Sequence, residues 1–253
     1  MKKFILFFLG LSLFLFLLAP VHLQAHGHGS APNEFYTSET LAQFDGVENE
    51  EAYIAFEGRI YDVSDTFSEG THQGNEAGQD LTEELKEAGH GPEVLDDQEH
   101  IGYYLEYALT EEKLAEYDGQ DYSKPLVAVN NIIYDASDVF TDGTHLGYEA
   151  GQDLTEEFED QHEEDYLKAM PVVGVLVSYE LTEEELATYD GQNDNDGFIA
   201  VNGIIYDVTD AWSDGSHRGY EAGNDLTEEI SEAGHHKTVL PDLPVVGIIV
   251  ESE

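Results

Sequence analysis

The same motifs occur three times along the chain, in the same order and at nearly constant spacing. The motifs IYDVS, IYDAS and IYDVT place Tyr61, Tyr134 and Tyr206 at almost equal intervals, and AGQDLTEE, AGQDLTEE and AGNDLTEE follow in step. This period is too long for a solenoid unit and matches the length of a small domain. The sequence therefore predicts three tandem domains with almost no linker, at residues 36–107, 108–179 and 180–253.

The order of elements inside a repeat is clearest in the third copy. LTEEELATYDG predicts a short helix with Thr182 as its N-cap and Glu185 as the capping-box partner. FIAVNGIIYDVT alternates around Asn202 and Gly203, which is typical of a type I′ hairpin. NDLTEEISEAG predicts a second helix and LPVVGIIV a closing strand, and in repeat 2 the closing strand PVVGVLVSYE is expected to run directly into the next helix. Few strands with helices between them indicate an α+β fold.

Residues 1–25 have the layout of a secretory signal peptide. Lys2 and Lys3 precede an apolar run from Phe4 to Ala19, and Ala25 offers a small residue for cleavage. The apolar run is short for a membrane span, so we expect cleavage, with a retained N-terminal anchor as the alternative. The prediction is a secreted or extracytoplasmic protein with a tail over residues 26–35 and no integral membrane span after cleavage.

The chain is strongly acidic, with 55 acidic and 9 basic residues and a net charge of −46. Signal-peptide removal takes away Lys2 and Lys3 and no acidic residue, so the net charge becomes −48. Such a chain repels nucleic acid and anionic membrane surfaces. Cationic partner proteins are expected, although the acidity also serves simple solubility. The sequence does not predict the oligomeric state.

The chain contains no cysteine. Disulfides, iron–sulfur clusters, covalent c-type haem and thiol nucleophiles are therefore excluded. The sequence also lacks a Ser/His/Asp signature and a phosphate-binding loop. We expect a binding or carrier protein rather than an enzyme.

Each repeat carries two histidines at equivalent positions, with nearly the same separation in every copy. The pairs are His72 with His90, His145 with His162, and His217 with His235. Two histidines at opposite ends of a helix-containing loop can approach a flat ligand from both sides, as a haem iron requires. Zinc takes three or four protein ligands, more than the two histidines supply. Copper or nickel bound by the two histidines and a carboxylate stays an open alternative. Small residues around the histidines, as in GTHLG and AGHG, are interpreted as room for a planar group close to the backbone.

The order of YDG, a hairpin ending in YDVTD, a glycine-flanked histidine, AGxDLTEE and AGH resembles the cytochrome b5-like haem-binding family. The frame also resembles the membrane-associated progesterone receptor branch and its short prokaryotic relatives. The resemblance covers nearly all of the chain after residue 35, three times. It implies one haem b per domain, three in total, in a pocket formed by a short mixed sheet and helices. It also implies two axial histidines on each iron and one-electron transfer to partner proteins. Carried over by position, the iron ligands are His72, His90, His145, His162, His217 and His235.

Several positions depart from the family pattern. The HPGG motif after the first ligand is absent, and the progesterone receptor branch uses a tyrosine ligand, which directs attention to Tyr148 and Tyr220. Repeat 1 has Asn75 at that position, so a tyrosine ligand common to all three repeats is excluded. Repeat 2 lacks the glycine of AGH, so a ligand other than His162 stays an open alternative in that repeat. In repeat 3, His236 competes with His235.

Three functions follow from these patterns. The first is an exported, tri-haem, bis-histidine b-type cytochrome that transfers electrons. The second is an extracellular protein that binds or transports haem or a small steroid-like ligand. The third is an acidic adhesion module without haem.

Overall fold

The computed structural model describes residues 34–48, 50–233, 240 and 243–252, which form three units with the same order of elements. Domain 1 contains β1 (Phe35–Tyr36), α1 (Ser38–Leu41), β2 (Tyr53–Phe56), β3 (Arg59–Asp62), β4 (Thr71–His72), β5 (Asn75–Glu76), β6 (Gln79–Asp80), α2 (Thr82–Glu87), a 3-10 helix (Pro92–Leu95) and β7 (Glu99–Tyr104). Domain 2 contains β8 (Tyr107–Leu109), α3 (Glu111–Leu114), β9 (Leu126–Val129), β10 (Ile132–Asp135), β11 (Thr144–His145), β12 (Tyr148–Glu149), β13 (Gln152–Asp153), α4 (Thr155–Gln161), a 3-10 helix (Glu164–Ala169) and β14 (Val172–Leu176). Domain 3 contains β15 (Tyr179–Leu181), α5 (Glu183–Leu186), β16 (Phe198–Val201), β17 (Ile204–Asp207), β18 (Ser216–His217), β19 (Tyr220–Glu221), α6 (Thr227–Ala233) and β20 (Val245–Ile249).

Each domain is built on one mixed sheet. The strand orders are β1-β7-β3-β2-β6 in domain 1, β8-β14-β10-β9-β13 in domain 2 and β15-β20-β17-β16 in domain 3. An antiparallel hairpin lies at the centre, the closing strand pairs antiparallel with it, and the first strand of the domain pairs parallel with the closing strand. The predicted α+β fold with three tandem domains is confirmed.

Local sequence signals account for the hairpins and the first helices. Thr182 caps α5, and Glu185 completes the capping box by accepting a hydrogen bond from the Thr182 backbone N–H at 2.9 Å. Asn202 and Gly203 have φ values of 53° and 79°, which is the positive pair that a type I′ turn requires. Both predictions for repeat 3 are therefore confirmed.

The closing strand of domain 2 does not run directly into the next helix. It ends at Leu176, and the separate strand β15 begins at Tyr179 and joins the sheet of domain 3. The chain crosses between the two sheets at Val177 and Ser178, where the Ser178 N–H donates to the Val246 carbonyl at 2.9 Å. The run PVVGVLVSYE thus contributes strands to two different sheets. The sequence of the run does not show where one strand ends and the next begins.

Two apolar clusters lie on opposite faces of each sheet, because successive strand residues point to opposite sides. We call the cluster beneath the histidine segments the histidine-side core. In domain 2 it consists of Val127, Val129, Ile132, Tyr134, Ala136, Ala150, Leu154, Leu167 and Val172, together with Tyr103 of domain 1. The opposite face packs around residues such as Leu114, Leu126 and Ile133. The histidine segments therefore lie over a preformed apolar floor.

Domain 1 packs against both other domains. Its Tyr103 belongs to the histidine-side core of domain 2, and its Leu105 packs against that of domain 3. Phe35 contacts both cores. The three domains are consequently joined by apolar contacts as well as by the chain.

No helix within the described ranges has the length and apolar character needed to cross a bilayer. The predicted signal peptide and nearly all of the predicted tail fall on residues 1–33, outside the described part of the chain.

Candidate functional site

The first histidine of each pair lies on a short hairpin. In domain 2, His145 ends β11 and pairs across the hairpin with Tyr148. The turn between them, Leu146 and Gly147, has φ values of 52° and 95°. The other domains repeat this pairing, with His72 opposite Asn75 and His217 opposite Tyr220. The sequence patterns did not predict this hairpin, because such short strands have no periodicity to detect.

The glycine before each first histidine closes a backbone contact. Gly143 has a φ of 71°, and a Cβ atom added to it would lie 2.1 Å from the carbonyl oxygen of Asp118. Asp118 belongs to the YDG motif of the repeat, and Gly119 also packs closely on Gly143. The two repeated motifs therefore meet backbone to backbone, and this contact fixes the base of the histidine hairpin. Gly143 is therefore required by the protein's own packing, while the interpretation of the small residues as room for a planar group stays a prediction.

Replacement of Gly143 by alanine should destabilise domain 2 by more than about 2 kcal/mol, because left-handed strain adds to a clash with backbone. The matched control is Gly147→Ala on the same hairpin. Gly147 also has a positive φ, but no atom lies within 4 Å of its added Cβ, so we expect only about 1 kcal/mol there. Urea unfolding of both variants measures the difference. Equal destabilisation would contradict the role of the contact with Asp118.

The second histidine of domain 2 lies at the end of a helix. His162 is the C-cap residue of α4, and its N–H donates to the Phe158 carbonyl at 2.8 Å. In domain 1 the helix ends earlier, and Gly89, with a φ of 78°, precedes His90. The glycine missing from repeat 2 is thus replaced by a longer helix, which brings His162 directly to the helix end.

The structure brings His145 and His162 together. Their ring centroids are 6.1 Å apart, and the planes are tilted by 31°. Phe140 packs on His145 at 5.5 Å, and Phe158 and Tyr166 pack on His162, each at 5.3 Å. Two histidines from opposite ends of the segment therefore form one site, which we call site 2.

The separation in site 2 fits a metal ion held between two imidazole rings. A metal–nitrogen bond is about 2.0–2.1 Å, and a five-membered ring with bonds of about 1.33 Å adds about 1.1 Å on each side. Two such rings on opposite sides of one ion are thus about 6.3 Å apart between centroids. The observed 6.1 Å is close to this value, so the two rings stand at the separation that a haem iron held between them would require.

In domain 1 the described structure shows no ring contact between the two paired histidines, and in domain 3 only the first histidine of the pair is described. His72 packs on Phe67 at 5.5 Å, and its Nε2 lies 2.9 Å from the Gln73 amide nitrogen. His90 is exposed, and its ring makes no contact with His72 within the described structure. His217 is exposed and stacks on Trp212 at 5.9 Å. His235 and His236 lie outside the described residues, so the choice between them stays a prediction.

Buried aromatic groups form the floor beneath site 2. Tyr134 is 5% exposed in the histidine-side core, and burial raises the pKa of its hydroxyl well above the usual value. Tyr134 therefore stays neutral at physiological pH. Met170 packs at the edge of the same core.

A cleft of about 590 Å³ lies away from the histidine pairs, between domains 1 and 3. Polar and acidic side chains line it, among them Glu39, Asp225 and Glu229. None of the described candidate ligands lines this cleft. Within the described ranges, no three histidine or carboxylate side chains come close enough to hold a metal ion.

One family model matches each of the three repeats. The model of the cytochrome b5-like heme/steroid binding domain family matches residues 37–105, 110–177 and 182–250. Among solved structures, a Hadesarchaea YNP_N21 cytochrome b5 domain protein is 40% identical, covering 28% of this chain and 99% of that one, with a TM-score of 0.27. A Methanococcoides burtonii cytochrome b5 domain protein is 44% identical, covering 28% and 97%, with a TM-score of 0.27. No curated protein matches the chain.

Proposed function

Because the chain belongs to the cytochrome b5-like heme/steroid binding domain family and carries that domain three times in tandem, we propose that it is an exported b-type cytochrome that binds one haem per domain and transfers single electrons. The observation that carries the proposal is site 2, where two histidine rings lie 6.1 Å apart above an apolar core. By the repeat pattern, His72, His90, His217 and His235 take the same roles in the other domains.

The residues of site 2 have separate tasks. His145 and His162 would hold a haem iron as its two protein ligands, so the group would supply electron transfer rather than substrate binding. Phe140 packs on the His145 ring and Phe158 on the His162 ring, next to the histidine-side core. These apolar groups shield the two imidazole rings from water. A bound haem would supply a one-electron redox couple at its iron. The function proposed is therefore that of an electron carrier, not of an enzyme.

The charge of the chain supports a cationic redox partner. With a net charge of −48 after removal of residues 1–25, its field attracts positively charged proteins and repels nucleic acid. Export is part of the proposal because of the pattern of residues 1–25.

Titration of the purified chain with haemin tests the proposal. We expect three equivalents to bind, with low-spin spectra in both the oxidised and the dithionite-reduced protein, because two imidazoles saturate each iron. Absence of a shifted Soret band after haemin addition would contradict haem binding altogether. High-spin spectra at full occupancy would contradict the two-histidine ligation.

The same preparation distinguishes an electron carrier from a haem transporter. Slow haem loss to an excess of a haem-scavenging apoprotein, together with reversible reduction, is the result that an electron carrier should give. Rapid transfer of haem to the scavenger would instead favour transport.

A further inference from the structure

Arg59 of domain 1 is a buried cation with partners in domain 2. It is 9% exposed, and its Nη2 donates to the carbonyl oxygens of Leu167 at 2.7 Å and Met170 at 3.0 Å. Ile132 and Ile204 occupy the equivalent positions in the other domains. A buried guanidinium is costly unless its donors are satisfied, so this pair of hydrogen bonds is an essential part of the contact between the domains.

The two acceptor carbonyls lie on the segment that directly follows His162. This segment comprises the 3-10 helix Glu164–Ala169 and the residues leading into β14 at Val172. Leu167 is also buried in the histidine-side core of domain 2. The position of the segment therefore influences how firmly His162 is held next to His145.

A second contact from domain 1 holds the same segment at its far end. The Val172 N–H donates to the Glu57 carbonyl at 2.9 Å. Gly58 lies so close that an added Cβ would be 1.8 Å from the Val172 carbonyl oxygen. The backbone of the β2–β3 turn and the side chain of Arg59 thus form one docking surface for the backbone of residues 167–172.

We propose that Arg59 is a positioning residue for site 2, so that haem binding in domain 2 depends on domain 1. Arg59 touches neither histidine and acts through the carbonyls of Leu167 and Met170, which fix the segment after His162. This inference rests on the proposed haem site in domain 2. It makes site 2 different from site 3, the pair of His217 and His235, where the equivalent residue of the preceding domain is Ile132.

The test replaces Arg59 by isoleucine in the full-length chain, since isoleucine is the residue of the other repeats. A His72→Ala/His217→Ala background leaves only the site 2 pair intact, and a His72→Ala/His145→Ala background leaves only the site 3 pair. After haemin loading, haem release to a scavenging apoprotein should become at least about tenfold faster at site 2, the factor that about 1.4 kcal/mol represents. Release at site 3 should stay unchanged. Equal acceleration at both sites would overturn the proposal, as would no change at site 2.

Hydrogen exchange in the haem-free chain gives a readout that does not need haem. Arg59→Ile should accelerate exchange over residues 164–170 and leave α5 in domain 3 unchanged. If no variant background binds haemin, the proposed function fails, while this exchange result still decides the role of Arg59. Unchanged exchange over residues 164–170 would overturn that role.

Arg59→Lys serves as the conservative variant. Lysine keeps the charge but loses the rigid planar fork of donors, so haem release at site 2 should fall between those of the wild type and Arg59→Ile. Should Arg59→Ile fail to fold, Arg59→Lys decides alone. Haem release that becomes faster at site 2 but not at site 3 supports the proposal. An equal change in the release rate at both sites, or no change at site 2, overturns it.

Discussion

Replacement of His145 or His162 by alanine is expected to remove one low-spin haem from the protein and leave the other two. Each ring is half of the pair that lies 6.1 Å apart in site 2, and an iron that loses one of two axial imidazoles no longer remains low-spin by that ligation. Haem affinity at site 2 should fall further than the about 10–100-fold that loss of an outer partner costs. Spectra of the reduced and oxidised variants, with a haem count per chain, measure both effects.

Two controls make the result specific to the paired histidines. His100→Val removes a partly buried histidine that belongs to no pair and should keep all three low-spin haems. Tyr148→Phe removes the hydroxyl opposite His145 and tests a tyrosine ligand directly. Unchanged spectra in both alanine variants would contradict the assignment of site 2, and loss of the low-spin signal in Tyr148→Phe would assign tyrosine instead.

Much of each domain follows from local sequence signals. The Asn202-Gly203 turn and the Thr182 capping box act over a few residues, so their structures are determined by neighbouring residues alone. The threefold repetition extends these assignments to every copy, including hairpins without the Asn-Gly pair, such as that at Glu57 and Gly58. Repetition also distinguished the histidine pairs from the acidic residues around them.

The placement of the histidines required the structure. His145 and Tyr148 lie on very short strands, and the glycines that hold this hairpin, Gly119 and Gly143, are well separated along the chain. A sequence shows such glycines but not that their backbones meet. The ligand role of all six histidines stays a prediction that the spectra will test.

Contacts between domains were also outside the reach of sequence patterns. Arg59 and Leu167 are far apart along the chain, and a lone basic residue in a hairpin gives no sign of its partner. Only the comparison of the repeats draws attention to Arg59, because Ile132 and Ile204 occupy the equivalent positions in the other two copies. Departures from a repeat thus indicate the places where copies have acquired different roles.

Acidification is expected to weaken the haem-free protein through His100, which lies beside Arg59. The His100 Nε2 lies 2.9 Å from the Gly102 carbonyl oxygen, and the ring packs on Tyr61 and Tyr103 at 5.7 and 5.1 Å. Burial, and then the charge of Arg59, lowers the pKa of His100 from 6.5 to about 4, against the opposing effect of the Gly102 hydrogen bond. The folded protein therefore keeps this ring neutral, with its proton on Nε2, at pH values where the unfolded chain already binds a second proton.

The sign and size of the effect follow from linkage. Neutral His100 contributes to the free energy of unfolding. This contribution is fully present above the unfolded pKa of 6.5 and is lost as the pH falls towards 4. Between pH 8 and pH 5 the loss should be about 2 kcal/mol, and pH 5 stays above the isoelectric point of about 4.1.

His100→Val is the matched variant, because Val172 and Val245 occupy the equivalent register in the other sheets. The many carboxylates add their own pH dependence to both proteins, so the difference between wild type and variant isolates the histidine. Urea unfolding at pH 5, 6.5 and 8 should show the wild type losing about 2 kcal/mol more stability than the variant as the pH falls. Parallel curves would contradict a neutral, partly buried His100.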